Sequence, residues 1–154
     1  MENVKEWKGI NGQLVSFKEV VGDAKKVTFI GSPGVCTPFA ELMAYAIRDK
    51  ESHFIPLVNI DDCHQFESKS FGMVLNAEVS NPHESDAVVL LGGLSMPKYE
   101  LDTEDINALV KDIINENGKI IGVSFMDMFT KAGWVDKVPF DCIVDGTLIG
   151  VVKE

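Results

Sequence analysis

The residues best suited to chemistry gather in two short glycine-containing segments. They are Gly31-Ser32-Pro33-Gly34-Val35-Cys36-Thr37 and Gly92-Gly93-Leu94-Ser95-Met96-Pro97. Cys36 stands where a helix should begin. A thiol there can have its thiolate stabilised by the helix dipole, which suits nucleophilic or redox work. Gly31 and Gly34 allow a ligand close to the backbone, and Ser32 and Thr37 add hydroxyls. The helix that follows offers free N–H groups to a small anion, so arginine is not required. In the second segment Gly92 and Gly93 permit the same close approach, and Ser95 can donate a hydrogen bond. Both loops have a plain structural alternative, tight turns around a small packed thiol and a core methionine. Neither contains G-x-x-x-x-G-K-[ST] or G-x-G-x-x-G.

Asp61-Asp62-Cys63-His64 places metal-capable side chains in four consecutive residues. Adjacent residues rarely converge on one ion, and no paired C-x-x-C or H-x-x-x-H accompanies them, so no metal site is expected. His64 is a candidate acid or base for Cys36 across neighbouring strand ends, because histidine titrates near neutrality. His53 and His83 read as surface loop residues. Ser124 with Asp127 suggests a polar rim at another strand end. The absence of a G-x-S-x-G elbow gives a hydrolase triad no support.

The elements that must position these residues can be read from periodicity. Leu14, Phe17 and Val21 predict a helix over 14–21, stopped by Gly22. Val27-Thr28-Phe29-Ile30 is a buried strand leading into the first loop. Thr37 as cap and Pro38 at the first helical position then open a helix whose apolar face is Phe39, Leu42, Met43, Ala46 and Ile47. Residues 54–60 predict a second strand, with Pro56 marking an edge or a strand start. Residues 61–85 leave strand and helix open, although Phe71, Met73, Leu75, Ala77 and Val79 alternate. Ala87–Leu91 is a buried strand. Asp102 or Thr103 caps a helix that Asn117-Gly118 should stop. Residues 119–125 form another strand, and 126–137 a short helix or loop. Asp145-Gly146-Thr147 between two apolar runs predicts a C-terminal antiparallel hairpin.

Strands about thirty residues apart, with helices between, are the rhythm of βαβ units. The apolar runs are continuous, as expected when helices cover both faces. The expectation is one domain over 1–154. It is a three-layer α/β/α sandwich, Rossmann-like or flavodoxin-like, with a mostly parallel sheet. In such sheets ligands sit beyond the carboxyl ends of the strands, which returns attention to residues 31–37, 61–64, 92–97 and 124–128.

Composition limits the partners. The 154 residues contain 24 acidic against 14 basic side chains, a formal charge of -10. That balance argues against nucleic acid and against an anionic membrane surface. Residues 1–40 nevertheless carry five Lys and four acids, so the loop 31–37 lies in a slightly positive quarter. No apolar run approaches the ~20 residues that span a bilayer. Three widely spaced cysteines suggest reduced thiols and a cytoplasmic setting.

Two resemblances follow from these motifs. Val35-Cys36-Thr37-Pro38-Phe39 resembles the active-site turn of thiol peroxidases and thioredoxins, which would imply redox chemistry. It departs from them at Phe39, where C-x-x-C has its second cysteine, and at Pro33, where peroxiredoxins carry Thr or Ser. Arg48 is the only arginine available as a partner. Over nearly the whole chain, the segments 31–42 and 92–97 resemble a small uncharacterised family of methanogenic archaea, a domain of unknown function. That resemblance implies no mechanism and no cofactor. The expected function is binding of a small ligand, phosphorylated or not, at loops 31–37 and 92–97. The alternatives are a thiol-based redox or nucleophilic enzyme using Cys36, and a non-catalytic homo-oligomeric assembly subunit, for instance a homodimer.

Overall fold

The computed structural model describes residues 1–154. In chain order its elements are α1 (Gly9–Val21), β1 (Lys26–Gly31), α2 (Cys36–Ala46), β2 (Glu51–Pro56), β3 (His64–Lys69) and β4 (Gly72–Val79). There follow β5 (Ser85–Leu91), α3 (Thr103–Ile113), β6 (Ile114–Phe125), α4 (Met128–Lys131) and β7 (Cys142–Gly146). The seven strands form one sheet in the order β4-β3-β2-β1-β5-β6-β7. Its β2-β1-β5-β6-β7 portion is parallel throughout, and β3 and β4 are antiparallel additions beside β2.

The continuous apolar strands bury both faces, and alternate residues supply two cores. Val27, Phe29, Val89 and Leu91 pack beneath α1 and α2 with Phe17, Met43 and Ile47. Ile30, Val88 and Leu90 pack on the opposite face with Ile106, Val110 and Ile113 of α3 and Phe129 of α4. The result is a mixed α/β fold with a mostly parallel central sheet flanked by helices.

Several expected boundaries move, each for a local reason. α1 starts five residues earlier, at Gly9. β2 ends, rather than starts, at Pro56, and it is an interior strand. Proline is tolerated there because Leu57, not residue 56, supplies the next N–H, to the Gly31 carbonyl at 2.8 Å. The ambiguous 61–85 stretch is the β3–β4 hairpin, so the alternation from Met73 to Val79 marks a strand.

Asp102 caps α3, accepting the Glu104 N–H at 2.9 Å. The helix stops at Ile113, short of Asn117-Gly118, because Ile114 already pairs with Ser85 of β5. Asn117-Gly118 instead lies in the bulge between that pair and Ala87–Lys119.

The C-terminal antiparallel hairpin is absent. β7 lies parallel to β6, and residues 147–154 have no regular structure. Asp145-Gly146 ends the strand because both residues are occupied there. The Asp145 carboxylate accepts the Ser124 hydroxyl and the Asp127 N–H, and Gly146 lies under the Trp7 ring. No helix is long and apolar enough to cross a membrane.

Candidate functional site

From β1 the chain proceeds through α2 to β2 on one side. On the other side, β5 proceeds through α3 to β6. The connections after β1 and β5 therefore diverge, which leaves a crevice between their carboxyl ends. A cavity of about 80 Å³ occupies that crevice. Val35, Cys36 and Phe39 line it from the start of α2, Gly92, Gly93 and Met96 from the segment after β5, and Ser124, Phe125 and Met128 from the end of β6. No charged side chain lines it.

The expected residues meet here, but in different roles. Cys36 is 3% exposed, and its Sγ lies 3.1 Å from the Ser32 hydroxyl, which is itself fully buried. Gly31 and Gly93 make room for this pair. A Cβ at 31 would stand 2.6 Å from Cys36 Cβ, and a Cβ at 93 would stand 2.5 Å from Cys36 Sγ and 2.7 Å from Ser32 Oγ. A Cβ at Gly92 would stand 2.8 Å from Ser124 Cβ. The close approach that these glycines allow is thus taken up by the protein's own side chains.

Thr37 does not cap α2. The helix begins at Cys36 after a helical Val35, and the Thr37 hydroxyl accepts the Gly34 N–H at 3.3 Å. Pro38 falls at the third helical position, still within the turn whose N–H groups lack intrahelical partners. The Cys36 N–H is bonded to the Ser32 carbonyl at 3.0 Å, so the loop closes on itself. Gly34, Thr37 and Ser95 are not among the cavity-lining residues, and the Ser95 hydroxyl donates to the Gly92 carbonyl at 2.8 Å.

His64 is not brought to Cys36. Its Nε2 meets Asp62 at 2.8 Å, and its Nδ1 meets the Asn76 carbonyl at 2.7 Å and that of Glu78 at 3.1 Å. The Asp62 carboxylate beside it is the main influence raising its pKa. Cys63 turns into the core, fully buried, and burial pushes its thiol pKa up. His53, read from sequence as a loop residue, is 2% exposed in β2. Its ring bridges the Glu51 carboxylate at 2.9 Å and the Ser80 hydroxyl at 2.7 Å. Burial lowers its pKa, although the Glu51 bond opposes that effect. His83 does lie at the surface, against Asn81 and Asp112.

The polar rim uses Ser124 with Asp145, not Asp127. The Ser124 hydroxyl donates to Asp145 at 2.7 Å, because the two residues are register partners on β6 and β7. The next two residues after β6, Met126 and Asp127, both have left-handed backbone, with φ of 57° and 56°. Such conformations are costly for non-glycine residues and concentrate at functional sites. The bonds from Met126 N–H to the Gly146 carbonyl and from Asp127 N–H to the Asp145 carboxylate hold them in place. Sequence reading missed the cavity's aromatic wall, Phe39 against Phe125 with ring centroids 4.9 Å apart. The apolar stripe of α2 had placed Phe39 on a buried face, but nothing local pairs it with Phe125.

Fold and crevice together define a class: an α/β protein with a mostly parallel sheet and a thiol-floored cavity at the divergence of its central strands. The chain belongs to an archaeal family described as "uncharacterized protein conserved in archaea" (DUF2124), which matches residues 8–149. An uncharacterized protein of Methanothermobacter thermautotrophicus is 45% identical over 152 residues, covering 99% of this chain and 98% of that one. Another, of Methanocaldococcus jannaschii, is 43% identical over 145 residues, covering 93% and 88%. A crystal structure of a protein of unknown function from M. thermautotrophicus has a TM-score of 0.94 and 45% identity, covering 100% of this chain and 98% of that one.

Proposed function

We propose that this protein is a Rossmann-like module that binds a small ligand in the cavity beyond β1, β5 and β6. The observation that carries the reading is the cavity's position where the connections diverge, the place at which open α/β sheets bind ligands. Its volume supports a compact ligand or one small group of a larger one. At about 80 Å³ it is smaller than the ~150 Å³ apolar cavity that accepts benzene. The uncharged lining, with Phe39, Phe125, Met96 and Met128, favours an apolar group there over a phosphate. Cys36, Gly92, Gly93 and Ser124 are the contacting residues. Gly31 and Ser32 hold Cys36 in position, while Gly34, Thr37 and Ser95 shape the two loops. His64 has no role in this reading.

Amide spectra recorded with fragments of three to six heavy atoms, and separately with inorganic phosphate, test the proposal. Short apolar fragments should shift the amides of Cys36, Gly92 and Gly93, and phosphate should not. Phosphate shifts confined to 31–37 would replace the apolar ligand with an anion. No shift with any fragment would remove the binding reading.

Thiol chemistry at Cys36 is the second reading, favoured by the Ser32 hydroxyl 3.1 Å from the sulfur, where it can hydrogen-bond a thiolate. Methyl methanethiosulfonate, a small neutral thiol reagent, tests this. Modification of Cys36 in the folded protein about tenfold faster than a free cysteine at neutral pH would support an activated thiol. Labelling only on unfolding would reduce Cys36 to a packing residue.

A further inference from the structure

The sheet stops at β7, and the chain beyond it runs Thr147-Leu148-Ile149-Gly150-Val151-Val152. This segment is uncharged and rich in β-branched residues, a composition that favours strands. Yet it has no regular structure, and Leu148, Ile149, Val151 and Val152 are 58%, 91%, 80% and 93% exposed. Four large apolar side chains within five residues, all turned to water, are unfavourable for an isolated monomer.

β7 is incomplete in a matching way. Apart from its ladder with β6, its only main-chain bond is from Met126 N–H to the Gly146 carbonyl. Its outer edge is therefore a row of free peptide groups. Beside it runs an open groove of about 630 Å³, walled by residues 2–9 and by Asp127, Ile143, Asp145, Gly146 and Thr147.

We infer that residues 148–152 form an arm exchanged between two copies of this chain, each arm lying along the β7 edge of the other copy, in the groove beside residues 2–9. A second copy is the fitting occupant for three reasons. The arm supplies a strand-forming segment whose peptide groups can pair with those of the free β7 edge. Being uncharged, it can enter a partner of like net charge without adding to the repulsion. It also follows β7 directly, so one twofold axis lets both copies give and receive an arm. The likeness to the M. thermautotrophicus crystal structure extends over the whole chain, arm included.

Sedimentation equilibrium on the full chain tests this, with the double substitution Ile149→Lys and Val151→Lys as its partner experiment. The wild type should sediment as a dimer, twice the 16.9 kDa of one chain. The double variant should be monomeric, its dissociation constant raised at least about 100-fold. Both replaced side chains project into solvent within their own chain, so the far-UV circular dichroism of the variant should match the wild type. Amide exchange at 142–152 should be slow in the wild type and fast in the variant. A monomeric wild type at about 100 µM, or a dimer that survives both substitutions, would overturn the arm exchange.

Discussion

Replacing Gly93 by alanine puts the packing around Cys36 to a quantitative test. The added Cβ would stand 2.5 Å from the cysteine sulfur and 2.7 Å from the Ser32 oxygen, about 1 Å inside ordinary contact. Gly93 does not have a left-handed φ, so alanine suits the backbone and the cost is steric alone. Overpacking of this kind costs about 1–3 kcal/mol. In a chain of 154 residues that lowers the melting midpoint by about 2–12 °C. Cys36→Ala alone deletes the sulfur and leaves a void, at about 1 kcal/mol. In the double variant the new methyl enters the space that the sulfur vacated, and the Ser32 hydroxyl can turn aside. The pair should therefore cost less than the sum of the singles by about 1–2 kcal/mol. Urea denaturation of the four proteins in this cycle gives the coupling directly. A Gly93→Ala variant as stable as wild type, or strictly additive costs, would refute the view that these glycines exist to seat the thiol.

Three other outcomes follow from the geometry. Gly146→Ala should displace the Trp7 ring, which stands 2.5 Å from the position of the added Cβ, and a red shift of tryptophan emission would report residues 1–8 lifting from β7. Asp102→Ala removes the cap of α3 and should lower stability in urea by about 1 kcal/mol. The third concerns pH: with the pKa of His53 below its ordinary 6.5 in the folded chain, the unfolded chain takes up a proton that the folded chain resists, so stability should fall as pH drops below about 6.5. His64 has the opposite sign, its raised pKa adding stability below 6.5 that is lost as pH rises through the folded value, and because its partner Asp62 is half open to solvent it should contribute the smaller slope. His53→Phe should remove the His53 component from melts recorded between pH 5 and 8.

Much of the architecture was legible where local pattern and tertiary role coincide. Val27–Ile30 and Ala87–Leu91 are apolar runs that can only be buried, and they became the two central strands. The helical stripe from Phe39 marks α2, and Asp102 caps α3 as its residue type suggests. The loops at 31–37 and 92–97 stand out in the sequence by their glycines and by the position of Cys36, and both border the crevice. Local pattern misleads where a turn signal competes with long-range pairing. Asn117-Gly118 looks like a helix stop, but the pairing of Ile114 with Ser85 ends the helix first. Asp145-Gly146 looks like a hairpin turn, but Ser124 and Trp7, distant in sequence, engage it where β7 ends. His53 reads as a loop residue because the apolar run begins at Phe54, whereas parallel pairing with β1 extends β2 back to Glu51.

The sequence alone determined the class of fold, the position of a thiol at a strand-to-helix turn, and the glycines beside it. These are local properties, set by side-chain volume, backbone freedom and apolar periodicity. Only the tertiary structure decided what those glycines face, that Ser124 answers to Asp145, and that Phe39 and Phe125 close an uncharged cavity. It also left β7 with an open edge and an exposed apolar arm beyond it. Each of these depends on which strands become neighbours and in what register, and that choice is made by burial summed over the whole sheet.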